Sequence, residues 1–274
     1  MSTPAEAPVL RVEDIHVTIS SKRHSTPILR GVSVELTAGQ MSGLVGETGS
    51  GKSMTAKAIM GLLPPGGAVV SGRVMLGERD LVGQSEEELR DVRGPVIGMV
   101  FQNPRTALYP LITVESQMGN VIAAHAELDK VARKARVREY LSLAGVPDPD
   151  RIARAYPHEL SGGLAQRVVI ATALVSDPSI LIADEPTTGL DATIQRQILE
   201  LIAELQDKLG LAVLMITHDL GIVAQYCDTV SVMNDGVIVE QGLKHDVLLN
   251  PEHEYTQQLI AASQLVDVRA EAAS

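Results

Sequence analysis

The sequence predicts an α/β fold with a core of mostly parallel strands, an N-terminal antiparallel β flank and an inserted α-helical subdomain. Apolar residues alternate with polar ones between Val9 and Gln40, as in half-buried antiparallel strands. Between Thr106 and Ala155 apolar residues recur at helical spacing instead. Farther along, unbroken apolar runs such as Leu211 to Thr217 alternate with helical segments, and such runs are typical of buried parallel strands.

Length and cysteine usage narrow the class of protein. A chain of 274 residues can bury a core as one large domain or two modest ones. Cys227 is the only cysteine, so one chain forms no disulfide and no cysteine-built metal cluster, and we expect a cytoplasmic location.

No stretch approaches about 18 uncharged apolar residues. Because Met1 to Pro8 also lacks the features of a signal peptide, we expect any membrane role to depend on partners.

Charge and aromatic content argue against nucleic-acid binding. The formal net charge is −11, whereas proteins that bind nucleic acids or anionic lipids through general attraction carry clustered Lys and Arg. Phe101 is the only Phe and there is no Trp, so platforms for stacking bases are nearly absent. We therefore expect no nucleic-acid partner, and any phosphate ligand must be held by local geometry.

A glycine-rich loop follows the apolar run Met41 to Val45 and precedes a helical segment. It matches the phosphate-binding pattern G-x-x-x-x-G-K-[ST] with Gly46, Glu47, Thr48, Gly49, Ser50, Gly51, Lys52 and Ser53. The glycines let successive N–H groups point at phosphate oxygens, and the helix adds its positive N-terminal end. We predict that Lys52 reaches the β- and γ-phosphates and that Ser53 supplies a hydroxyl to Mg²⁺. The alternative is a glycine-rich turn that arose by chance.

Several local patterns predict the elements that follow the loop. A hairpin is predicted over Gly72 to Leu81, and Ser85 with Glu88 forms a capping box that opens a short helix. Val96 to Phe101 is an apolar strand. In the helical region Asp129 caps a helix that stops at Gly145. We expect the basic side of that helix to be a solvated face; it comprises Lys130, Arg133, Lys134, Arg136 and Arg138.

The second half of the chain alternates helices and strands. The pattern predicts a helix over Ser161–Val175, a strand over Ile180–Ala183 and a long amphipathic helix that ends at Gly210. Asn234, Asp235 and Gly236 form a predicted hairpin turn. Asn250 and Pro251 are predicted to start the last helix, and Val266 to Ser274 is expected to fray.

A carboxylate pair, Asp184 and Glu185, follows the apolar strand Ile180 to Ala183. In a parallel α/β sheet, ligands bind at the carboxyl ends of the strands. We predict that Asp184 holds Mg²⁺ through its hydration shell and that Glu185 polarises the attacking water as a general base. The alternative for the pair is a solvated helix cap before Pro186.

The stretch Leu160 to Arg167 carries a resemblance to a known family. It reads Leu-Ser-Gly-Gly-Leu-Ala-Gln-Arg before a helix, and it resembles the signature of the ATP-binding cassette family. At a helix N-terminus, Ser161 and the N–H groups of Gly162 and Gly163 can hold a γ-phosphate; an ordinary helix cap is the alternative. In that family two cassettes enclose two ATP molecules head to tail, and each signature serves the nucleotide of the partner chain.

Other elements of the family fall in the expected order. The resemblance identifies Gln102 as the glutamine near Mg²⁺ and the membrane subunit, and Asp191 as the residue of the loop that crosses to the partner. It identifies His218 as the switch histidine that hydrogen-bonds the γ-phosphate. The alternatives are a helix cap for Asp191 and a surface histidine at a strand end for His218.

Four runs are similar to the peptide and nickel importer ATPases: Val100–Pro104, Tyr156–Gly163, Ile182–Thr188 and Pro251–Thr256. Two positions depart from the family pattern. Ile19 stands where most cassettes carry an aromatic residue against adenine, so it offers apolar contact without a π-face and leaves ATP against GTP preference open. Leu164 and Ala165 replace the usual methionine and arginine of the signature, while the residues predicted to face phosphate are intact.

The resemblance implies a P-loop NTPase core whose parts are 1–104, with the flank and loop, and 159–242, with the signature and switch histidine. The helical subdomain is 105–158, and 243–274 forms C-terminal helices and a tail.

The expected activity is ATP hydrolysis with Mg²⁺, which powers an importer of peptides, nickel or metal chelates. The expected partners are a second cassette, two membrane permeases at the cytoplasmic face of the membrane and an extracytoplasmic binding protein. The alternative is a soluble cassette ATPase that acts on nucleic acid or the ribosome.

Overall fold

A computed structural model describes residues 9–21 and 24–263 of the chain. The predictions for Met1 to Pro8 and for Val266 to Ser274 fall outside these residues. Contacts divide the described chain into two units, one of residues up to Leu89 together with those from Ala212, and one of Arg90 to Leu211. Within the described ranges, no helix combines the length and the apolar character needed to cross a membrane.

The described residues form ten strands and eleven α-helices, with most of the antiparallel strands at the start and a run of helices between residues 104 and 174 in the middle. The strands are β1 (Leu10–Ser20), β2 (Ser25–Leu36), β3 (Met41–Val45), β4 (Gly67–Leu76), β5 (Arg79–Asp80), β6 (Ile97–Val100), β7 (Ile180–Asp184), β8 (Ala212–Thr217), β9 (Thr229–Asn234) and β10 (Val237–Leu243). The helices are α1 (Lys52–Ile59), α2 (Glu86–Arg90), α3 (Pro104–Ala107), α4 (Val114–His125), α5 (Lys130–Leu143), α6 (Pro149–Arg154), α7 (Gly162–Leu174), α8 (Ala192–Leu209), α9 (Leu220–Tyr226), α10 (Lys244–Leu249) and α11 (Glu254–Ala262), and a 3₁₀ turn covers Pro157–Glu159.

The first unit contains the predicted antiparallel flank. Its strands pair in the order β2-β1-β4-β5, and the strands that pair are antiparallel. In β1 and β2, buried side chains alternate with more exposed ones over most of each strand, as predicted; Leu10, Val12, Val17 and Leu29 are examples of the buried ones. The flank therefore has one face in the core, as a half-exposed sheet requires.

The first unit also contains four strands in the order β10-β9-β3-β8, at whose centre β3 pairs in parallel with β8 and β9. All residues of β3 and β8 are buried, which confirms the parallel strand predicted from the apolar run. Strands β9 and β10 form the predicted hairpin. Its turn has φ of 44° at Asp235 and 80° at Gly236, values that Asp and Gly tolerate better than other residues.

The second unit pairs β6 with β7 in parallel and carries helices α3 to α8. Two predicted helix ends are confirmed. The Asp129 carboxylate accepts hydrogen bonds from the N–H groups of Val131 and Ala132 at the start of α5. Gly210 ends α8 in the left-handed conformation with φ of 64°.

The expectation that the basic side of α5 is only a solvated face is wrong. Arg138 donates to Glu115 on α4 at 2.9 Å and to Asp150 on α6 at 2.5 Å. Lys134 also pairs with Glu115, at 2.8 Å. The side chains of Arg138 and Glu115 are only 26% and 20% exposed, so this pair is partly shielded from water. These ion pairs join α4, α5 and α6.

The predicted start of the last helix is also wrong. Asn250 follows α10 as its C-terminal residue, and α11 begins only at Glu254. The reason is a histidine cap, since the His253 Nδ1 atom accepts a hydrogen bond from the Tyr255 N–H at 3.1 Å. A histidine acceptor is uncommon at this position, so a pattern based on Asn and Pro favours the earlier residues.

Candidate functional site

In the first unit, the predicted phosphate loop leaves the buried strand β3 and enters α1. Its tip, Glu47 to Gly49, is exposed, while Gly46, Ser50 and Lys52 are buried. The Ser50 N–H donates to the Glu47 carbonyl at 3.2 Å, and the Ser50 carbonyl accepts from the Gly236 N–H at 2.8 Å. The loop is thus held on both sides by backbone atoms.

Two glycines of the loop have a steric reason to be glycine. A Cβ atom at Gly46 would lie 2.0 Å from the carbonyl oxygen of Met233, which no side-chain rotation could relieve. Gly51 has φ of 112° and directly precedes α1, a conformation that L side chains rarely adopt. The pattern predicted glycine here for access to phosphate, and the structure adds close packing against the end of β9.

Lys52 is 4% exposed, and its ammonium group donates to the carbonyl oxygens of Gly46 at 2.7 Å and Glu47 at 2.8 Å. These bonds keep the charge at the loop without neutralising it. The Ser50 hydroxyl is buried and has no hydrogen-bond partner among the described residues. Ser53 is the second residue of α1, whose N-terminal N–H groups open toward the loop. A lysine, the buried Ser50 hydroxyl and a helix N-terminus fit a phosphate group.

His218 lies at the same sheet edge as the loop. Val45 pairs with Thr217 in the parallel register of β3 and β8, so Gly46 and His218 are the residues that follow a matched pair. His218 is exposed, and the next residue, Asp219, caps α9 by accepting from the Gly221 N–H at 2.7 Å. The first unit therefore brings the loop and the predicted switch histidine to one edge.

Sequence reasoning missed one contact to the loop. The hydroxyl oxygen of Tyr255, near the start of α11, accepts a hydrogen bond from the Glu47 N–H at 3.2 Å. The two residues are 208 positions apart in the chain, and a tyrosine on a C-terminal helix has no local signal that links it to the loop.

Elsewhere in the first unit, Ile19 lies on β1 and pairs with Thr26 and Gly67 in the flank sheet. It is half-buried, and its predicted contact with a nucleotide base stays a prediction.

Burial raises the pKa of the Cys227 thiol to about 12, so this group is a neutral thiol at physiological pH and takes no part in nucleophilic chemistry.

In the second unit, Gln102 and Glu185 meet at the carboxyl edge of two parallel strands. Val100 pairs with Ala183, so Gln102 follows β6 where Glu185 follows β7. The Gln102 amide donates to the Glu185 carboxylate at 2.7 Å, and the Thr188 hydroxyl donates to the same oxygen at 2.9 Å.

The two carboxylates of the pair have different surroundings. Asp184 is 4% exposed at the end of β7, whereas Glu185 is half-buried and has φ of 45°. A left-handed glutamate is uncommon and strained. The two carboxylates thus differ in burial and in backbone conformation, although they are neighbours in the chain.

The predicted signature forms the N-terminus of α7. Ser161 caps this helix, and its hydroxyl accepts from the Leu164 N–H at 3.4 Å. A Cβ atom at Gly163 would lie 2.7 Å from the Ile194 side chain of α8, so a larger residue would disturb this packing. Asp191 caps α8 and accepts from the Ile194 N–H at 3.1 Å. In the second unit, Ile194 therefore lies beside Gly163 of the signature and donates its N–H to Asp191. Ser161 and Asp191 each cap a helix.

The comparisons with known proteins show which family the chain is similar to. A family model described as ABC transporter matches residues 29–188. The chain is similar to the dipeptide transport ATP-binding protein DppD of Bacillus subtilis, with 46% identity over 261 residues that cover 95% of this chain and 78% of the relative. It is equally similar to the oligopeptide transport ATP-binding protein OppD of Bacillus subtilis, with 46% identity over 93% of this chain and 71% of the relative.

Solved structures give the same result. The ATP-binding cassette MJ0796, solved as a dimer in a post-hydrolysis state with ADP and phosphate, matches with a TM-score of 0.76 and 27% identity, over 86% of this chain and 98% of that one. The cbiO1 protein from Clostridium perfringens, part of an ABC transporter complex, matches with a TM-score of 0.76 and 29% identity, over 97% of this chain and 100% of that one.

Proposed function

The chain belongs to the ABC transporter family of ATP-binding cassettes, and on that premise we propose that it hydrolyses ATP to power a peptide importer. The observation that carries the proposal is the pair of hydrogen bonds that Glu185 accepts from Gln102 and Thr188. These bonds hold the carboxylate in one orientation at the end of β7, where it can act as a base toward water.

We assign the steps of hydrolysis to residues of this chain. The N–H groups of the loop and Lys52 bind the phosphates, and Lys52 exchanges part of its bonding to the Gly46 and Glu47 carbonyls for phosphate oxygens. Glu185 orients the attacking water and takes its proton. His218 hydrogen-bonds the γ-phosphate, so this bond forms only when the γ-phosphate is bound.

Magnesium fits the remaining donor atoms. In the first unit Ser53 offers Mg²⁺ a hydroxyl oxygen, and in the second unit Asp184 and Gln102 each offer side-chain oxygen atoms. Oxygen atoms are the ligands that this cation prefers. When bound, the cation supplies positive charge beside the phosphates. Across the described residues, no cluster of three or more His, Cys, Asp or Glu side chains could hold a metal by itself.

We propose that two cassettes close over ATP. Ser161, Gly162 and Gly163 present a helix N-terminus that suits a γ-phosphate held by a partner chain, and Asp191 lies on the loop that crosses to that partner. The dimeric form of the related cassette MJ0796 supports this arrangement. ATP binding then favours the closed dimer and hydrolysis reopens it.

A cleft in the second unit suits contact with membrane permeases. Its volume is about 310 Å³, and it is lined by Pro104, Arg105, Leu108, Pro110, Pro157, His158, Leu160 and Ala165. Beside it in the chain, Tyr109 and Leu111 are 58% and 71% exposed, which is unusual for large apolar residues. We propose that two permease subunits each place a short helix in such a cleft.

The names of the relatives DppD and OppD support dipeptides or oligopeptides as the transported class. Nickel and metal chelates are the other cargo classes that the sequence pattern allowed. An importer of this kind also needs an extracytoplasmic binding protein to deliver its cargo, and the cassette itself would lie at the cytoplasmic face of the membrane through its permeases.

The substitution Glu185→Gln tests the proposed hydrolysis. Gln keeps the hydrogen bonds of the carboxylate on the acceptor side but cannot take a proton, so turnover should fall on the order of 10²- to 10⁴-fold. ATP binding should persist, and ATP should trap a dimer in size-exclusion chromatography with light scattering. Glu200→Gln, on the exposed side of α8, is the matched control and should hydrolyse ATP normally.

The outcome that would remove Glu185 from this role is normal turnover in the variant. Transport is tested separately, by uptake of labelled dipeptides and oligopeptides in cells that carry the wild-type chain or Glu185→Gln as their only copy. Uptake that is equal in the two strains would exclude these peptides as cargo.

A further inference from the structure

The C-terminal helix α11 is connected to the sheet of the first unit through a carboxylate. Glu240, on β10, accepts hydrogen bonds from the N–H groups of Glu252 at 2.9 Å and His253 at 3.1 Å. Both oxygens of the carboxylate are used, so the turn that precedes α11 is fixed to the strand in position and direction.

That turn also fixes the start of the helix. His253 caps α11 through its Nδ1 atom, which accepts from the Tyr255 N–H at 3.1 Å. Thr256 is fully buried one residue farther on. The backbone of Tyr255 is therefore held on both sides, by the cap before it and by the buried residue after it.

The side chain of Tyr255 reaches the phosphate loop. Its hydroxyl oxygen accepts from the Glu47 N–H at 3.2 Å, while the carbonyl oxygen of Glu47 accepts from Lys52 at 2.8 Å and from the Ser50 N–H at 3.2 Å. Glu47 is thus held at its N–H by α11 and at its carbonyl by the loop itself.

These two kinds of contact respond differently to a phosphate ligand. Lys52 is the residue that turns to phosphate oxygens in the proposed function, so its bond to the Glu47 carbonyl weakens when nucleotide binds. The bond from the Glu47 N–H to Tyr255 does not involve Lys52, so it is unaffected when Lys52 turns to phosphate oxygens. This bond can therefore hold Glu47 in place while Lys52 exchanges carbonyl oxygens for phosphate oxygens.

We propose that Tyr255 is a positioning residue for the phosphate loop, and that α11 raises the affinity for ATP by holding Glu47 in its binding conformation. The proposal rests on the proposed ATPase function and adds a residue outside the loop to it. The physical basis is preorganisation, because a loop that is already ordered loses less conformational entropy when it binds.

Tyr255→Phe tests the proposal with the smallest possible change, because it removes the hydroxyl and keeps the ring. The loss of one such hydrogen bond corresponds to roughly a two- to tenfold change in an equilibrium constant. We expect the KM and the calorimetric Kd for ATP to rise by that factor while kcat stays within about twofold. Tyr140→Phe, in the second unit, is the matched control and should leave both values unchanged.

A second variant separates positioning from general destabilisation. Glu240→Gln weakens the attachment of the turn before α11, so KM should rise in the same direction by a smaller factor. Because Glu240 acts through Tyr255, the double variant should show the KM of Tyr255→Phe alone and not the product of the two effects.

The results that would overturn the proposal are distinct from those that would overturn the function. An unchanged KM and Kd in Tyr255→Phe, a fall in kcat alone, or independent effects of the two substitutions would each exclude the positioning role while leaving ATP hydrolysis in place. Absence of ATP hydrolysis in the wild-type protein would instead contradict the proposed function.

Discussion

The phosphate loop and the helices α4 to α6 are stabilised in different ways. In the loop the contacts are made by backbone atoms, such as the Ser50 carbonyl with the Gly236 N–H, and by glycines that allow close approach. Among α4 to α6 the contacts described above are ion pairs between long side chains, with Glu115 and Arg138 at their centre. The first arrangement leaves no room for a Cβ atom at Gly46 or Gly51. The second allows a charged group such as Arg138 to keep one partner when another is lost.

This difference has a functional meaning in each unit. A site that binds phosphate through N–H groups must present its backbone, so its side chains have to be small and its geometry fixed. Helices that are joined by ion pairs can instead adjust, because long charged side chains change rotamers at low cost. We therefore expect substitutions in the loop to have larger and less tolerant effects than substitutions among the helices.

The largest effect is expected for Gly46→Ala. The new Cβ atom would meet the Met233 carbonyl oxygen at 2.0 Å, and because backbone atoms cannot rotate away, the loop or the end of β9 must move. Overpacking of this kind costs about 3 kcal/mol or more. Moving the loop should also weaken ATP binding on the order of 100-fold, which corresponds to a similar free energy. Chemical unfolding and calorimetric titration with ATP measure the two effects.

Gly39→Ala is the control for this prediction. Gly39 also has a positive φ, of 69°, but a Cβ atom there would meet nothing within 4 Å. The Gly39→Ala protein should lose only about 1–2 kcal/mol of folding stability, which is the cost of holding an alanine in the left-handed conformation. It should bind ATP as the wild type does. If Gly46→Ala behaved like this control, close packing against Met233 would not be what distinguishes the loop.

A smaller effect is expected for Glu115→Gln among the helices. Gln keeps the size of the side chain but removes the charge that pairs with Lys134 and Arg138. Since Arg138 keeps Asp150 as a partner, the loss should be about 1–2 kcal/mol. Hydrogen exchange of the amides in residues 114–143 measures this local stability.

The control for Glu115→Gln is an exposed ion pair in the same unit. Arg151 and Asp148 are 3.7 Å apart and their side chains are 67% and 59% exposed, so Arg151→Gln should cost less than about 0.5 kcal/mol. Equal effects of the two substitutions would show that partial burial does not strengthen the pairs at Glu115.

The same comparison explains what could be predicted from sequence. The loop, the strands β3, β7 and β8 and the caps at Asp129 and Gly210 depend on residues that are neighbours in the chain, so local patterns indicate them. The contact of Tyr255 with Glu47 and the ion pairs of Arg138 join distant segments, and a charge pattern on one helix does not reveal its partner. The late start of α11 depends on a histidine acceptor whose role follows only from the position of the Tyr255 N–H.

The smallest expected effect is a pH dependence of the helices that the loop should not share. Partial burial acts to raise the pKa of Glu115, but hydrogen bonds and attraction from Lys134 and Arg138 outweigh it, so the pKa lies below its ordinary value of 4.5. The folded state thus favours the carboxylate, and this stabilisation is complete above pH 4.5 and is lost as the pH falls through the lowered pKa. The stability difference between the wild type and Glu115→Gln in residues 114–143 should therefore narrow on acidification below pH 4.5, as measured by hydrogen exchange at a series of pH values corrected for the intrinsic exchange rate. A difference that stays constant over this range would show that the ionised carboxylate is not what stabilises these helices.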